Sequence, residues 1–224
     1  MAQPEPTSVN GDTRELNGSC FDLLLIELVP MSYRIEFCKF MDRDEGKPSA
    51  DRKWEDLTKE QRDKFMAESL GVGGVGGGAP AVDAEELRER VLQRLDGQGF
   101  RVGRMLAERC TRDMPRLKDD LERMKFVCKD LWMVVFRKQV DNLKTNHRGI
   151  FVLSDNTFAP IKRASLERGR DTATIMDQAQ AFLYFHSGVI RGALHELGME
   201  CTVQAETTEL PGVTFHIRTV GAKP

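Results

Sequence analysis

The stretch Leu121-Glu122-Arg123-Met124-Lys125-Phe126-Val127-Cys128-Lys129-Asp130-Leu131-Trp132 decides how this chain folds. Apolar residues recur through it at alternating steps of four and three, which is typical of an α-helix with a buried face. Neighbouring apolar side chains widen that face past half the circumference, so other elements must cover the helix. We predict one central helix over residues 116–145, closed by Gly149, with these core residues: Phe126, Cys128, Leu131, Trp132, Val135 and Phe136.

Helices are also predicted upstream of this segment. Residues 21–41 carry apolar side chains at helical spacing on more than one face, and Pro30 predicts a kink or a restart within them. Asp83 has the position of an N-cap for a second helix, and Gly97 and Gly99 predict its end. A further short helix is predicted over residues 100–109.

Downstream, the pattern changes between the periods of strand and helix. Residues 150–153 and 158–161 predict two pairing strands, and residues 175–197 predict a helix that ends at Gly198. Residues 201–207 and 213–220 alternate at period two on either side of a Pro-Gly turn, which predicts a β-hairpin. The order of these elements indicates an α+β fold in which N-terminal helices pack on an antiparallel sheet.

The chain has 224 residues, which suits one domain with appendages. Residues 1–19 are polar and without apolar period, and we expect a disordered tail there. Residues 42–82 are first charged and then glycine-rich, which indicates a mostly flexible insertion. The domain is therefore predicted over residues 20–41 and 83–221.

Composition excludes several classes of protein. Lys+Arg total 33 against 35 Asp+Glu, so the excess of positive charge that a general nucleic-acid binder needs is missing. The five cysteines show no C-x-x-C spacing, which argues against a disulfide framework or a zinc site. Neither a signal peptide nor an apolar run long enough to span a membrane is visible, so we expect a cytoplasmic protein.

Chemistry-bearing motifs are weak. His186 and Ser187 are sequence neighbours on a predicted helix and cannot face each other. The glycine run in 71–78 lacks the Gly-Lys-Ser/Thr of a phosphate-binding loop. A thiol enzyme that uses Cys128 stays a third hypothesis, although that residue lies on the most apolar stripe. We predict no catalytic residues, no metal and no cofactor.

Four blocks of sequence carry a specific resemblance. They are the Lys-Phe-Val-Cys-Lys-Asp-Leu-Trp run at 125–132, Gly-Phe-Arg-Val-Gly at 99–103, Val-Leu-Ser-Asp-Asn-Thr-Phe at 152–158, and Gly-Val-Ile-Arg-Gly-Ala-Leu at 188–194. Together they resemble the TRAPP subunit 6 family, small subunits of the transport protein particle that tethers vesicles. The resemblance covers about residues 21–41 and 83–220.

The resemblance implies a TRAPP small-subunit fold with a four-stranded antiparallel sheet. It also implies a non-catalytic subunit that heterodimerises with the subunit 3-type paralogue through its two N-terminal helical segments. The implied particle is a guanine-nucleotide exchange factor for Rab-family GTPases in ER-to-Golgi and Golgi traffic. The implied location of the chain is the cytoplasmic side of the cis-Golgi and ER-Golgi intermediate membranes, to which the complex would bring it. The partner interface expected from the resemblance consists of Phe21, Leu24, Leu25, Leu28, Val29, Leu87, Val91 and Leu95.

One family feature does not transfer, and one alternative stays open. The subunit 3-type paralogue has an acylated cysteine before its long helix, whereas residues 114–117 here read Met-Pro-Arg-Leu and Cys110 lies earlier. The alternative function is an acyl-chain or small-molecule binding module of the same fold. Bulky side chains at Trp132, Phe136, Phe182 and Phe185 are expected to fill the cavity that such a module needs.

Overall fold

The computed structural model of the protein describes residues 18–44, 84–146, 148–163, 172–207 and 209–222. Its helices are α1 (Gly18–Asp44), α2 (Ala84–Thr111), α3 (Asp120–Phe126), α4 (Trp132–Phe136), α5 (Ala159–Arg163) and α6 (Thr172–Glu196), and one π-helical turn (Val127–Leu131) joins α3 to α4. The strands are β1 (Asn142–Thr145), β2 (Ile150–Asp155), β3 (Cys201–Glu206) and β4 (Val213–Thr219). Most of the predicted tail, most of the predicted insertion and the predicted N-cap Asp83 lie outside the described residues.

The strands form one antiparallel sheet in the order β1-β2-β4-β3. Leu153 of β2 pairs with Phe215 of β4, and Ala205 of β3 pairs with the same residue from the other side. Alternate side chains of β2 and β4 are buried, as a sheet covered by helices on one face requires. The predicted α+β fold with a four-stranded antiparallel sheet is confirmed. Gly198 ends α6 as predicted, with a φ of +79°.

Helix α1 runs without interruption through Pro30, so the predicted restart at this residue is not observed. Helix α2 is likewise one helix of 28 residues, and the predicted end at Gly97 and Gly99 and the separate helix over 100–109 are wrong. The reason is tertiary packing, because a Cβ added at Gly99 would lie 2.0 Å from the Phe185 carbonyl oxygen of α6. This glycine permits two helix backbones to touch instead of ending a helix.

The predicted central helix is correct only in its middle. It begins at Asp120 and ends at Phe136, because Arg137 adopts a left-handed conformation with a φ of 59°. The Val140 N–H then donates to the Cys128 carbonyl oxygen at 3.0 Å, which turns the chain back against the helix. Residues 142–145, predicted as helix, form the edge strand β1 instead.

Two predictions near β2 are also wrong for local reasons. Gly149 does not close a helix; its φ of +91° lies in the connection between β1 and β2. The predicted strand over 158–161 is helix α5, in which the Lys162 N–H donates to the Phe158 carbonyl oxygen at 3.0 Å. Phe158 and Ile161 are both buried, and their spacing of three suits one face of a helical turn.

The core has two parts. The larger part lies between the sheet and the helices that cover it, and it includes Phe126, Leu131, Trp132, Phe158, Leu183, Ile190, Phe215 and Ile217. The smaller part lies between α1, α2 and α6 and includes Leu25, Leu28, Val29, Val91, Leu95, Phe185 and Val189. Helix α6 contributes to both, so it connects the sheet to the N-terminal helices.

Candidate partner-binding surface

Most residues of the expected partner interface are buried within the chain itself. Val91 and Leu95 are 0% exposed, and none of the six buried members exceeds 9%, so a partner cannot contact these six directly. They pack α1 against α2 and α6 and thereby stabilise the monomer. The buried members of the expected interface are Leu25, Leu28, Val29, Leu87, Val91 and Leu95.

The opposite side of α1 carries the apolar residues that a partner can contact. Leu23 is 63% exposed and Leu24 58%, whereas Ile26 and Met31 are each 36% exposed. We call these four residues the outer face of α1. Four large apolar side chains along one described helix form a surface of the kind that usually marks a protein–protein contact. Of the eight residues expected at the interface, only Leu24 and the half-buried Phe21 remain accessible.

An apolar groove of about 480 Å³ adjoins the outer face of α1. Leu24 belongs to both surfaces, and Val134, which is 49% exposed, also lines the groove. Helix α2 contributes Val102 and Leu106 to the lining. The complete lining is Cys20, Phe21, Asp22, Leu24, Leu25, Val102, Leu106, Val134, Val135, Phe136, Arg137, Ala159 and Pro160. The outer face and the groove therefore adjoin at Leu24.

A buried carboxylate holds the end of α4 that forms this groove. Asp155, which is fully buried, accepts from the Trp132 indole Nε1 at 2.9 Å and from the Lys138 Nζ at 2.5 Å. It also accepts from the Thr157 backbone N–H at 3.0 Å. The ammonium group and the two further donors compensate the burial of this charge. These contacts connect the end of β2 to the segment after α4. Their role is structural, because they hold these two segments together.

The central segment fills the core with aromatic side chains. Trp132 is buried, and its ring lies 4.8 Å from that of Phe136 and 5.8 Å from that of Phe215. Of the six predicted core residues of this segment, Phe126, Cys128, Leu131 and Trp132 are buried, and Val135 and Phe136 are partly buried against them. Phe185 is buried and Phe182 partly buried in the smaller part of the core, next to α1 and α2.

His186 lies within this aromatic environment and is unsuited to catalysis. Its Nδ1 is 2.7 Å from the Phe182 carbonyl oxygen, and the rings of Phe136, Phe158 and Phe185 surround it. Burial lowers the pKa of the imidazole to about 4, because the protein interior disfavours its charged form. A neutral, enclosed histidine of this kind serves packing, and the adjacent Ser187 is buried as well.

The thiol and metal chemistry considered from the sequence has no geometry to support it in the described part of the chain. Burial raises the pKa of the Cys128 thiol to about 12, so its nucleophilic thiolate form is scarce near neutral pH. Within the described ranges, no three His, Cys, Asp or Glu residues come together as metal ligands would. Among the helices described, none is both long and apolar enough to cross a bilayer.

Comparison with known proteins gives concordant matches. A family model described as "Transport protein particle (TRAPP) component" matches residues 21–220. Subunit 6b of the trafficking protein particle complex from Danio rerio is 43% identical over 137 residues, which are 61% of this chain and 84% of that protein. The human subunit 6B is 44% identical over 57% of this chain and 78% of its own length, and the human subunit 6A is 41% identical over 56% and 76%.

One solved structure is a trafficking protein particle complex subunit 3 from Naegleria fowleri, described as covalently bound to palmitic acid. It covers 73% of this chain and 98% of its own, with 12% sequence identity and a TM-score of 0.47.

Proposed function

This chain belongs to the transport protein particle (TRAPP) component family, among its subunit 6 members, and we propose that it is a non-catalytic structural subunit that heterodimerises with a subunit 3-type paralogue. In this proposal it supports a vesicle-tethering complex with guanine-nucleotide exchange activity toward a Rab-family GTPase in ER-to-Golgi and Golgi traffic. The exchange chemistry belongs to other subunits. The chain is held at the cytoplasmic side of cis-Golgi membranes through the complex.

The observation that carries the heterodimer is the outer face of α1. Leu23 and Leu24 expose more than half of their side chains although neighbouring Leu25 is buried, so α1 has apolar residues on two opposite sides. The apolar side chains on one side are buried against α2 and α6, whereas those on the other side are not buried by any of the described residues. Burying a leucine side chain contributes about 2 kcal/mol, which makes this face a source of binding energy.

The proposed interface differs from the one expected from sequence. Charge substitution at Leu28 would disturb the chain's own core, because this side chain is only 9% exposed. Leu24 is the informative position, since its side chain is open in the monomer. We place the partner against Phe21, Leu23, Leu24, Ile26 and Met31, with the groove beside them available to an apolar residue of the partner.

The test is co-expression with a subunit 3-type paralogue followed by size exclusion with light scattering. The wild-type chain is expected to elute as a 1:1 complex, and Leu24→Glu is expected to weaken it about tenfold or more. Val220→Glu is the matched control, because Val220 is 78% exposed and follows β4. Equal complex formation by both variants, each with an unchanged circular dichroism spectrum, would refute the proposed face.

The second candidate function, an acyl-chain or small-molecule binding module, is favoured by the apolar groove between α1, α2 and α4. Its volume of about 480 Å³ lies within the range of ligand sites. Trp132 and its aromatic neighbours fill the interior beneath it, so a ligand would lie near the surface. Native mass spectrometry of the purified chain tests this candidate, since a co-purified lipid would support it. A lipid that leaves on addition of the paralogue would mean that both functions use this groove.

A further inference from the structure

The sheet has an open edge at β3, which shares no residue with the surface proposed for the paralogue. β3 is the last strand in the order β1-β2-β4-β3 and pairs only with β4 among the described strands. Proteins usually protect such an edge with lysine, proline or a bulge. Residues 201–206 read Cys-Thr-Val-Gln-Ala-Glu, which contains no lysine or proline; the register with β4 has no bulge, and Glu206 is the one charged residue of the run. The opposite edge, β1, is only four residues long and contains Lys144.

The hydrogen-bond pattern shows which backbone groups face outward. Val220 N–H donates to the Glu200 carbonyl oxygen at 2.9 Å, so this pair bonds toward β4. Because outward and inward groups alternate along an antiparallel strand, the N–H and C=O groups of Cys201, Val203 and Ala205 point to the open edge. The Ala205 carbonyl accepts from Gln180 Nε2 at 3.4 Å, a long bond that an incoming strand can replace.

A groove of about 490 Å³ runs beside this edge, between β3 and the helices α2 and α6. Val203 and Ala205 of β3 line it, together with Leu92 of α2 and the partly exposed Tyr184 of α6. An added strand would lie about 4.8 Å from β3, which places it in this groove. The geometry is therefore that of an extended peptide added to a sheet.

The charge of the groove selects the peptide. Glu89, Asp96 and Glu206 line it, and its described lining contains no lysine or arginine. Arg191 pairs with Asp96 from outside the lining, and the His216 Nε2 lies 3.7 Å from Glu206. Within the described part of the chain, Glu89 accepts a long bond of 3.4 Å from Gln93. Complementarity therefore favours a segment that brings lysine or arginine side chains to Glu89 and Glu206.

We propose that the β3 edge binds an extended, lysine- or arginine-bearing segment of another protein as a fifth strand of the sheet. The backbone groups of Val203 and Ala205 pair with the segment, and Glu89 and Glu206 bind its basic side chains. This surface is separate from the outer face of α1, so both can be occupied at the same time. A second copy of this chain is the competing occupant, because any exposed edge can pair with itself.

The probe is a fluorescein-labelled peptide of alternating lysine and threonine, roughly eight residues long, titrated with the full chain at roughly 0.15 M salt. Fluorescence anisotropy is expected to show saturable binding. Glu89→Arg combined with Glu206→Arg is expected to weaken it about tenfold or more, because like charges then face each other. Glu108→Arg combined with Glu85→Arg makes the same change of net charge on α2 outside the groove, and it is expected to leave the affinity within about twofold.

Two further measurements distinguish the addition of a strand to β3 from non-specific electrostatic binding of the basic peptide to acidic residues. A peptide of the same sequence that is N-methylated at every residue has no backbone N–H left to donate to β3, and it is expected to lose binding. Val203→Pro removes one outward N–H without touching the pairing with β4, and it is expected to weaken binding by about tenfold. Equal binding of the methylated peptide, or equal binding by the double arginine variant, would overturn the proposal. So would a concentration-dependent dimer that Val203→Pro dissolves, since the edge would then belong to a second copy.

Discussion

The crossing of α2 and α6 yields a pair of predictions with opposite signs. A Cβ added at Gly103 would lie 2.0 Å from the Val189 carbonyl oxygen, and one added at Gly192 would lie 2.0 Å from that of Phe100. Gly97 lies on the same helix as Gly103, but a Cβ there has no atom within 4 Å. Alanine is therefore expected to destabilise the chain at Gly103 and to stabilise it at Gly97.

The magnitudes follow from the distances. Gly103→Ala forces the two helix backbones apart locally by roughly 1.4 Å, and this overpacking costs about 3 kcal/mol. Alanine regains about 1 kcal/mol of helix propensity, so the net loss of unfolding free energy is about 2 kcal/mol. Gly97→Ala keeps only the propensity gain of about 1 kcal/mol. For a domain of this size, Gly103→Ala is expected to lower the melting temperature by roughly 4–8 °C. Gly97→Ala is expected to raise it by roughly 2–4 °C.

Urea unfolding followed by circular dichroism at 222 nm provides the free energies, with thermal melts as a second measure. Gly192→Ala serves as a replicate from the other helix and is expected to behave like Gly103→Ala. A Gly103→Ala variant as stable as wild type would contradict the close approach of the two backbones. A loss at Gly97 equal to that at Gly103 would mean that α2 is not one continuous helix.

Two other predictions concern buried polar groups. Trp132→Phe removes the indole donor 2.9 Å from the buried carboxylate of Asp155, and it is expected to lower the unfolding free energy by about 2 kcal/mol in urea titrations. An unaffected stability would mean that Lys138 and the Thr157 N–H satisfy this carboxylate without the indole. His186 has a folded-state pKa of about 4, below its ordinary value of 6.5, so the unfolded chain binds the proton more readily. Its contribution to stability is therefore complete above pH 6.5 and is lost progressively as the pH falls from there to about 4, by about 3 kcal/mol in total. His186→Phe is expected to reduce the slope of unfolding free energy against pH within that window, and an identical slope would show that the histidine is already protonated or accessible.

Helix and strand types followed from the sequence wherever apolar period and length agreed. The hairpin of β3 and β4 and the long helix α6 are of this kind, because their patterns have one interpretation. Some errors occurred where a residue type has two common structural roles, and one occurred where the sequence carried no indication. Glycine ends helices but also permits close packing, and Gly99 does the second. The left-handed turn at Arg137 had no signal at all, because a non-glycine residue rarely adopts a φ of 59°.

The sequence indicated which helix carries the candidate surface, but it did not indicate which side chains of that helix are exposed. Apolar side chains on more than one face of residues 21–41 correctly indicated that α1 has more apolar surface than one contact needs. Sequence periodicity cannot say which face the monomer buries, because both faces carry leucine at helical spacing. Leu25 and Leu24 are adjacent in sequence, yet the first is 5% exposed and the second 58%. Only the position of α2 and α6 decides between them.

The same argument explains why the β3 edge has no signal in a motif search. Its binding groups are main-chain N–H and C=O groups, which every residue carries, and the sequence shows only that protective lysine or proline is missing from 201–206. The carboxylates that would select the partner come from positions 89 and 206, which the fold brings to one groove. If the edge and the outer face of α1 both bind partners, the chain connects two proteins through surfaces that share no residue. A structural subunit of the kind proposed would then contribute to its complex through two surfaces that can be disabled separately, by Leu24→Glu and by the double arginine variant.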